Sequence, residues 1–554
     1  MPTTNRTFNL PNAEVRDWLK IDDGEDYGSY INCYYDNNST TQTNETSEFN
    51  PFDESTMSFP NTIVTRSPDI DGAGTGAFTV SKAGNYFIMF QAFMLCNNDN
   101  GTVVAKIKKN GSDIFETAAL FIDKDEDGNS GGKHCYIHTV ATLSAGDVIT
   151  TTLTPSSVGI RCRKGTGIVM LRVNGHYGAS RYTAAGSAIS DDGNLKTFDS
   201  GMGGIGTLAT TTNGVTFTAS GGKFTPSAER MFMMMQTLVC SVGGTVDQIE
   251  NRLTLDNSTS AHGFMDILFS GGRSASDPFC SIQQIMKAVP ANLPVQPTRG
   301  YPSSTTTAFT FEKGTCFTMF DISNNDSLPR SFINIVAKDT DNSDGLINGW
   351  RNMFSTVENG GTWNNSGAQF IDPNDETNKA IADGEAGVVD STIGGNRGIT
   401  HVASEGKFTF DESGDYLISL SVGLVDSDGS GEDQNAQFDL SKNENPQGSG
   451  DGPDSSFFKS NLFVSADLDP VTTMFMLIYP FEKGDHLMAG VALAAGNQLQ
   501  DGTSIMITRL GPTRVPQAGF NQLFDGGTNG TGQSIVKTDD TIDSADKGDQ
   551  RDRR

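Results

Sequence analysis

A chain of 554 residues is too long for one hydrophobic core and predicts about three or four domains. Its 62 Gly and its charged fraction of only 19%, beside many Thr, Ser, Asn and Asp, are the usage of short strands joined by turns, so an all-β protein is expected. The 67 Asp and Glu against 39 Lys and Arg leave a formal charge of -28, a field that repels phosphate backbones and anionic headgroups and argues against nucleic acid as a partner.

Residues 1–50 read as a polar N-terminal arm. Within it Asn12 caps a short predicted helix that places Val15, Trp18 and Leu19 on one stripe, so Trp18 is expected to dock, either on a neighbouring subunit or on the chain's own first domain. The opening stretch has neither the basic end nor the apolar run of a secretory signal, and no segment approaches the length of a membrane span. No membrane insertion is expected, and folding in a cytosol is. The seven cysteines (Cys33, Cys96, Cys135, Cys162, Cys240, Cys280, Cys316) do not recur with the repeat described next, which fits reduced, buried thiols better than a disulfide framework.

Three stretches repeat: FTVSKAGNYF from Phe78, FTPSAERMF from Phe224 and FTFDESGDYL from Phe408. Each follows Gly-x (Gly76, Gly222, Gly406) and carries an aromatic residue eight positions on, at Tyr86, Phe232 and Tyr416. Gly84 and Gly414 stand two before the Tyr, where a turn needs no side chain; the middle copy has Glu229 at or near that place. A second anchor reads LSAGDVI from Leu143, FEKGTCF from Phe311 and FEKGDHL from Phe481. A closing apolar strand is expected at GIVMLRV, SFINIVA and SIMITRL. The boundaries that follow are 51–174, a linker at 175–197, 198–345 and 346–511, with a polar C-terminal tail at 512–554 in which Phe520, Leu523 and Phe524 could anchor.

With Gly76, Phe78, Thr79, Gly84, Tyr86, Phe87, Asn110-Gly111 and Leu143-x-Ala-Gly-Asp-Val, the first copy resembles the globular heads of the complement C1q and tumour necrosis factor superfamily. The third resembles it at both anchors, with Lys442-Asn443 near the place of Asn110. The resemblance implies three tandem jelly-roll β-sandwich domains, a compact trimer as the usual assembly, and a binding or structural role rather than catalysis.

Assembly is also expected from the strands themselves. In NYFIMFQAFMLC both faces are apolar, with Phe87, Met89 and Phe93 on the side opposite Tyr86, Ile88 and Phe90, and MFMMMQTLVC repeats this with Met231 and Met233. A sandwich buries one face of each sheet in its own core, so the other needs a partner: a homotrimer or higher assembly of the chain is expected, with the chain's other domains imitating a trimer, or its own loops covering the face, as the alternatives.

Acidic loops recur, and Asp123, Asp125 and Asp127 begin like a calcium loop, although His134 stands where the bidentate carboxylate belongs. Calcium on these three residues is the one metal site the sequence offers; a solvated acidic turn is the bland alternative. His134 and His138 lack a third zinc ligand at convincing spacing. No nucleophile elbow, phosphate loop or dinucleotide fingerprint is present, and the reading is not an enzyme, with no cofactor. The function expected is that of a virion structural protein, bacteriophage or other, assembled in the host cytoplasm: a fibre, spike or capsid-decorating subunit that meets other virion proteins and a host surface glycan or protein. A cellular adhesin or lectin-like protein and a carbohydrate-active enzyme are the competing classes.

Overall fold

Apolar and polar residues alternate with period two along Ala77–Val80, Lys223–Pro226 and Lys407–Phe410, and each of these segments buries the same two positions, Phe and the residue two after it. That pattern suits a strand with one face on a core. A computed structural model describes residues 29–35, 46–53, 62–67, 69–72, 75–96, 101–122, 132–157, 159–173, 175–186, 196–197, 208–242, 250–255, 279–300, 309–323, 331–338, 349–355, 369–371, 397–402, 404–426, 434–443, 456–464, 471–493, 497–499 and 503–511. The described residues are all-β, folded as six sheets that pair into three sandwiches.

In the first unit the inner sheet runs Gly132–Leu143, Gly84–Cys96, Gly167–Val173, Tyr30–Tyr35, Thr62–Arg66, every neighbour antiparallel. The outer sheet runs Ile70–Asp71, Ala77–Val80, Val148–Pro155, Gly101–Lys109, Ser112–Glu116. The chain crosses between the two sheets repeatedly rather than completing one sheet before starting the other, which is the jelly-roll path. Phe78, Phe90, Ile107 and Ile149 meet between the two sheets. The second unit repeats the inner order with Phe279–Val289, Arg230–Val242, Cys316–Asp321, Tyr177–Tyr182, Leu208–Asn213. The third repeats it with Val471–Phe481, Gly414–Asp426, Ser504–Gly511, Phe332–Lys338, Gln369–Ile371.

The long central strand has 13 residues in all three units. Phe78, Phe224 and Phe408 are all fully buried, as are Tyr86, Phe232 and Tyr416. Gly76, Gly222 and Gly406 share a φ near 60°, at 61°, 59° and 61°, the left-handed turn that starts each Gly-x-Phe-Thr strand and that a side chain would disfavour.

Several boundaries differ from the sequence expectation. Tyr30–Tyr35 is an inner strand of the first unit, so the arm does not reach residue 50. Tyr177–Tyr182, expected in the linker, is the first strand of the second unit. SFINIVA does not close the second unit: Phe332–Lys338 pairs with Ser504–Gly511 and opens the third, while Cys316–Asp321 closes the second. Both strands are apolar on both faces because first and last strands lie side by side, so composition cannot tell one from the other.

In the middle unit FEKGT is not the structural counterpart of LSAGD and FEKGD. LSAGD and FEKGD both lead into the outer strand that pairs with the Phe-Thr strand, Val148–Pro155 and His486–Leu493. Its counterpart in the middle unit is Val295–Gly300, entered through Pro-Ala-Asn-Leu with Asn292 at φ 64° where Gly146 and Gly484 have φ 89°. FEKGT instead matches RKGTG (Arg163–Gly167), and in both the Thr bridges two inner strands. Thr166 Oγ1 donates to Phe93 O at 3.1 Å and accepts from Phe93 N at 3.0 Å. Thr315 does the same with Val239, at 2.7 and 3.0 Å, and Thr503 with Gly423, at 3.5 and 3.2 Å.

Candidate functional site: the interior shared by the three units

Phe87 and Phe320, from the first and second units, stack with ring centroids 4.5 Å apart. Around them one apolar cluster draws on every unit: Tyr30, Phe87, Met89 and Leu171 from the first, Met231, Met233, Met235 and Met286 from the second, Leu417, Met474, Met476 and Ile478 from the third. The inner sheets thus turn their second faces toward one another and close a ring of three within one chain. Methionine suits this place, since an unbranched thioether fills the gaps left where three non-identical faces meet.

This is where four of the residues singled out as an assembly interface lie. Phe87, Met89, Met231 and Met233 are buried at the centre, against other units of the same chain. Phe93 is buried too, stacked on Phe475 of the third unit at 5.4 Å and packed with that unit's core. The second apolar face therefore has its partner without a second chain, and these strands no longer give a ground for expecting a homotrimer. A single strand cannot reveal this, because an intramolecular and an intermolecular partner demand the same side chains. Trp18 and the acidic residues Asp123, Asp125 and Asp127 lie outside the described residues, as do the arm's helix and the C-terminal tail.

Polar side chains are sealed into the seams with partners, as burial requires. Between the first and third units Tyr136 Oη lies 2.8 Å from Thr473 Oγ1 and accepts from Met474 N at 3.0 Å, while His134 Nδ1 lies 2.7 Å from Tyr136 Oη and 2.8 Å from Thr473 Oγ1. Gln91 spans the same seam, its Oε1 accepting from Met476 N at 3.1 Å and its Nε2 donating to Gly165 O at 2.9 Å. Tyr30 Oη donates to Asp415 Oδ2 at 2.5 Å. Between the first and second units His138 Nδ1 meets Thr318 Oγ1 at 2.8 Å and its Nε2 lies 3.5 Å from Cys316 Sγ. Burial holds His138 neutral, with a pKa lowered to about 3, and pushes the Cys316 thiol up to about 12. Between the second and third units Asn334 Nδ2 donates to Met286 O at 2.7 Å, and Ser419 Oγ donates to Gln284 Oε1.

The two histidines are thus structural, and Cys33, Cys135, Cys162, Cys240, Cys280 and Cys316 are unbridged. Among the described residues no group of three His, Cys, Asp or Glu is placed to hold a metal ion. What the site can do chemically is hold three sandwiches rigidly together.

The seams carry a second device that sequence reading passed over. In the first unit the loop Arg163–Thr166 hooks onto the third: Ser460 Oγ donates to Lys164 O at 3.0 Å, and Gly165 approaches so closely that a Cβ there would lie 2.4 Å from Ser460 Oγ. The matching loop of the second unit hooks onto the first: Ala118 N donates to Lys313 O at 2.7 Å, Lys313 pairs with Glu116, and a Cβ on Gly314 would lie 2.9 Å from the Thr117 backbone. The signal was present in the chain as Lys-Gly-Thr at 164–166 and 313–315 and Asp-Gly-Thr at 501–503. Another missed repeat is the Asn-x-Phe pair. Asn50 Nδ2 donates to Gly76 O at 2.9 Å and Asn352 Nδ2 to Gly406 O at 3.3 Å, setting Phe52 beside Phe78 and Phe354 beside Phe408 at 6.0 and 5.6 Å.

No protein-family model and no curated protein sequence matches the chain. Solved structures that match include murine APRIL at pH 8.0, 15% identical with a TM-score of 0.19, covering 26% of this chain and 98% of its own. Eiger TNF from S. frugiperda matches at 14% identity and a TM-score of 0.21, over 34% of this chain and 98% of its own.

Proposed function

We propose that the chain is a virion structural protein, a fibre, spike or capsid-decorating subunit in which one polypeptide supplies a whole three-lobed head. The observation that carries the reading is the shared interior, where apolar faces from all three units close on one another. Such a body is stiff across its full width, since no lobe can turn without exposing Met and Phe to water. Rigidity of this kind serves presentation: outer sheets and loops are held at fixed positions for other virion proteins at one side and a host surface glycan or protein at the other. The strong negative charge keeps such heads apart and soluble at high local density.

Immunogold labelling with an antibody against the folded chain, applied to particle and cell-envelope fractions of the source culture, tests the proposal. Label at regular positions on particles is the result expected. Label confined to cell surfaces would overturn it in favour of an adhesin.

A further inference from the structure

The first and second units are joined through residues 174–176 and the second and third through residues 324–330, whereas the first and third meet with no chain running directly between them. That seam closes the ring, and it is the one where the hook of the first unit lies on the third unit's strand Ser456–Val464. Tyr34 Oη also donates to Phe457 O there.

Beside this hook stands Asp439, on the face of strand Gln434–Lys442 turned away from the sandwich core, yet fully buried. Its Oδ2 accepts from Ser456 Oγ at 2.5 Å, while Oδ1 has no hydrogen-bond partner among the described residues. Asp439 sits across from Lys459 on one side and Gly490 on the other. The charged groups that act on it are Lys459 and the hook's own Lys164. The equivalent place in the first unit has the signs exchanged, with Lys106 across from Glu116, and there the incoming Lys313 meets the glutamate. Lys313 thus pairs with Glu116, whereas Lys164 acts on Asp439 through its charge, and of the two carboxylates only Asp439 is sealed from water with an oxygen unsatisfied.

We propose that the seam between the first and third units is a proton-operated latch, with Asp439 as its titrating group. A buried carboxylate lacking one of its hydrogen bonds is costly when ionised, and a proton on Oδ1 removes that cost. Burial pushes the Asp439 carboxyl up to about 6, against the downward pull of Ser456, Lys459 and Lys164. The folded value lies above the ordinary 3.8 of an exposed carboxyl, so if opening the seam wets Asp439 the closed state binds the proton more tightly than the open one, and closure gains as pH falls from about 6 to about 4. The ring is tightest in mild acid and opens first at this seam at neutral pH and above. The latch depends on the closed ring alone, wherever the head is mounted.

Hydrogen exchange of the full chain at pH 5 and pH 7.5, expressed as protection factors, tests this. Amides of Ser456–Val464 should be about tenfold better protected at pH 5 than at pH 7.5, beyond any change elsewhere. Asp439→Asn should remove that difference and hold the seam at its acid-state protection. Lys164→Met, which removes a cation favouring the ionised form, should move the midpoint to higher pH. Equal protection at the two pH values in the native chain would overturn the latch. So would an unchanged pH difference in Asp439→Asn or, should that variant not fold, an unmoved midpoint in Lys164→Met.

Discussion

Arg230 Nε lies 3.3 Å from Asp321 Oδ2, and this ion pair is a mirror of what its sister units do at the same place. Register sets Asp321 opposite Phe232 just as Arg172 is opposite Tyr86 and Arg509 opposite Tyr416. In the outer two units that arginine lies over Gly84 or Gly414; in the middle one the arginine has moved to the glycine's position and an aspartate has taken its own. Cation and space have exchanged strands, and the long central strand is unchanged in length.

The exchange should show as non-additivity. Arg230→Gly alone leaves Asp321 nine-tenths buried with only His176 Nδ1, 3.6 Å away, and the Ser323 contacts, and is expected to cost about 3 kcal/mol. Adding Asp321→Arg recreates the arrangement of the other units and should recover a large part of that loss in a denaturant melt, whereas additive costs would show that the two sites are unrelated.

Gly84 and Gly414 look alike in sequence and should not behave alike. A Cβ on Gly84 would meet Arg172 Nε at 2.5 Å, the far part of a flexible side chain, while one on Gly414 would also meet the Gly511 carbonyl oxygen at 2.4 Å. Gly414→Ala is therefore expected to destabilise by about 1–3 kcal/mol, more than Gly84→Ala, and thermal melts of the two variants provide the comparison.

Phe78, Phe224 and Phe408 should each cost about 3–5 kcal/mol when truncated to Ala. Because the units share an interior, the expected melt is a single destabilised transition rather than the loss of one lobe from an intact pair. Differential scanning calorimetry of Phe224→Ala distinguishes the two outcomes.

Acid should loosen the outer turns of the first and third units before the middle one. Asp147 is held down to about 2 by Lys109, the Ser144 amide and Asn110. Asp485 is also lowered: burial acts upward, but Asn443, Lys442 and the Glu482 amide outweigh it. Both are lowered in the folded state, so the contribution is complete above about pH 4 and is lost as pH falls below it, for Asp147 toward 2. Asp147→Asn should flatten the acid limb of stability between those values, as followed by near-ultraviolet circular dichroism.

The all-β class, the three-fold repeat and the six aligned aromatics were legible because period-two burial and a left-handed glycine leave marks on sequence. The middle unit's boundaries were not, since Asn292 does without glycine what Gly146 and Gly484 do with it, and Lys-Gly-Thr in a hook resembles Ala-Gly-Asp in a turn. The assembly residues were legible as sticky, through Phe87 and Met233, but not their partner, because the side chains that suit a neighbouring chain suit a neighbouring unit equally well. Lys313 and Glu116 reveal the difference only once both are placed.

That pair offers the most direct measurement. Lys313 Nζ and Glu116 are in ionic contact across the first seam and both remain partly exposed, so a zero-length carbodiimide reagent should join them as an amide. Light and heavy-nitrogen chains, mixed unfolded, refolded together and cross-linked, should yield this product only as all-light and all-heavy peptide pairs, because the two units belong to one chain. Mixed light-heavy pairs at the statistical ratio would show that the apolar faces close between chains, and would contradict the account.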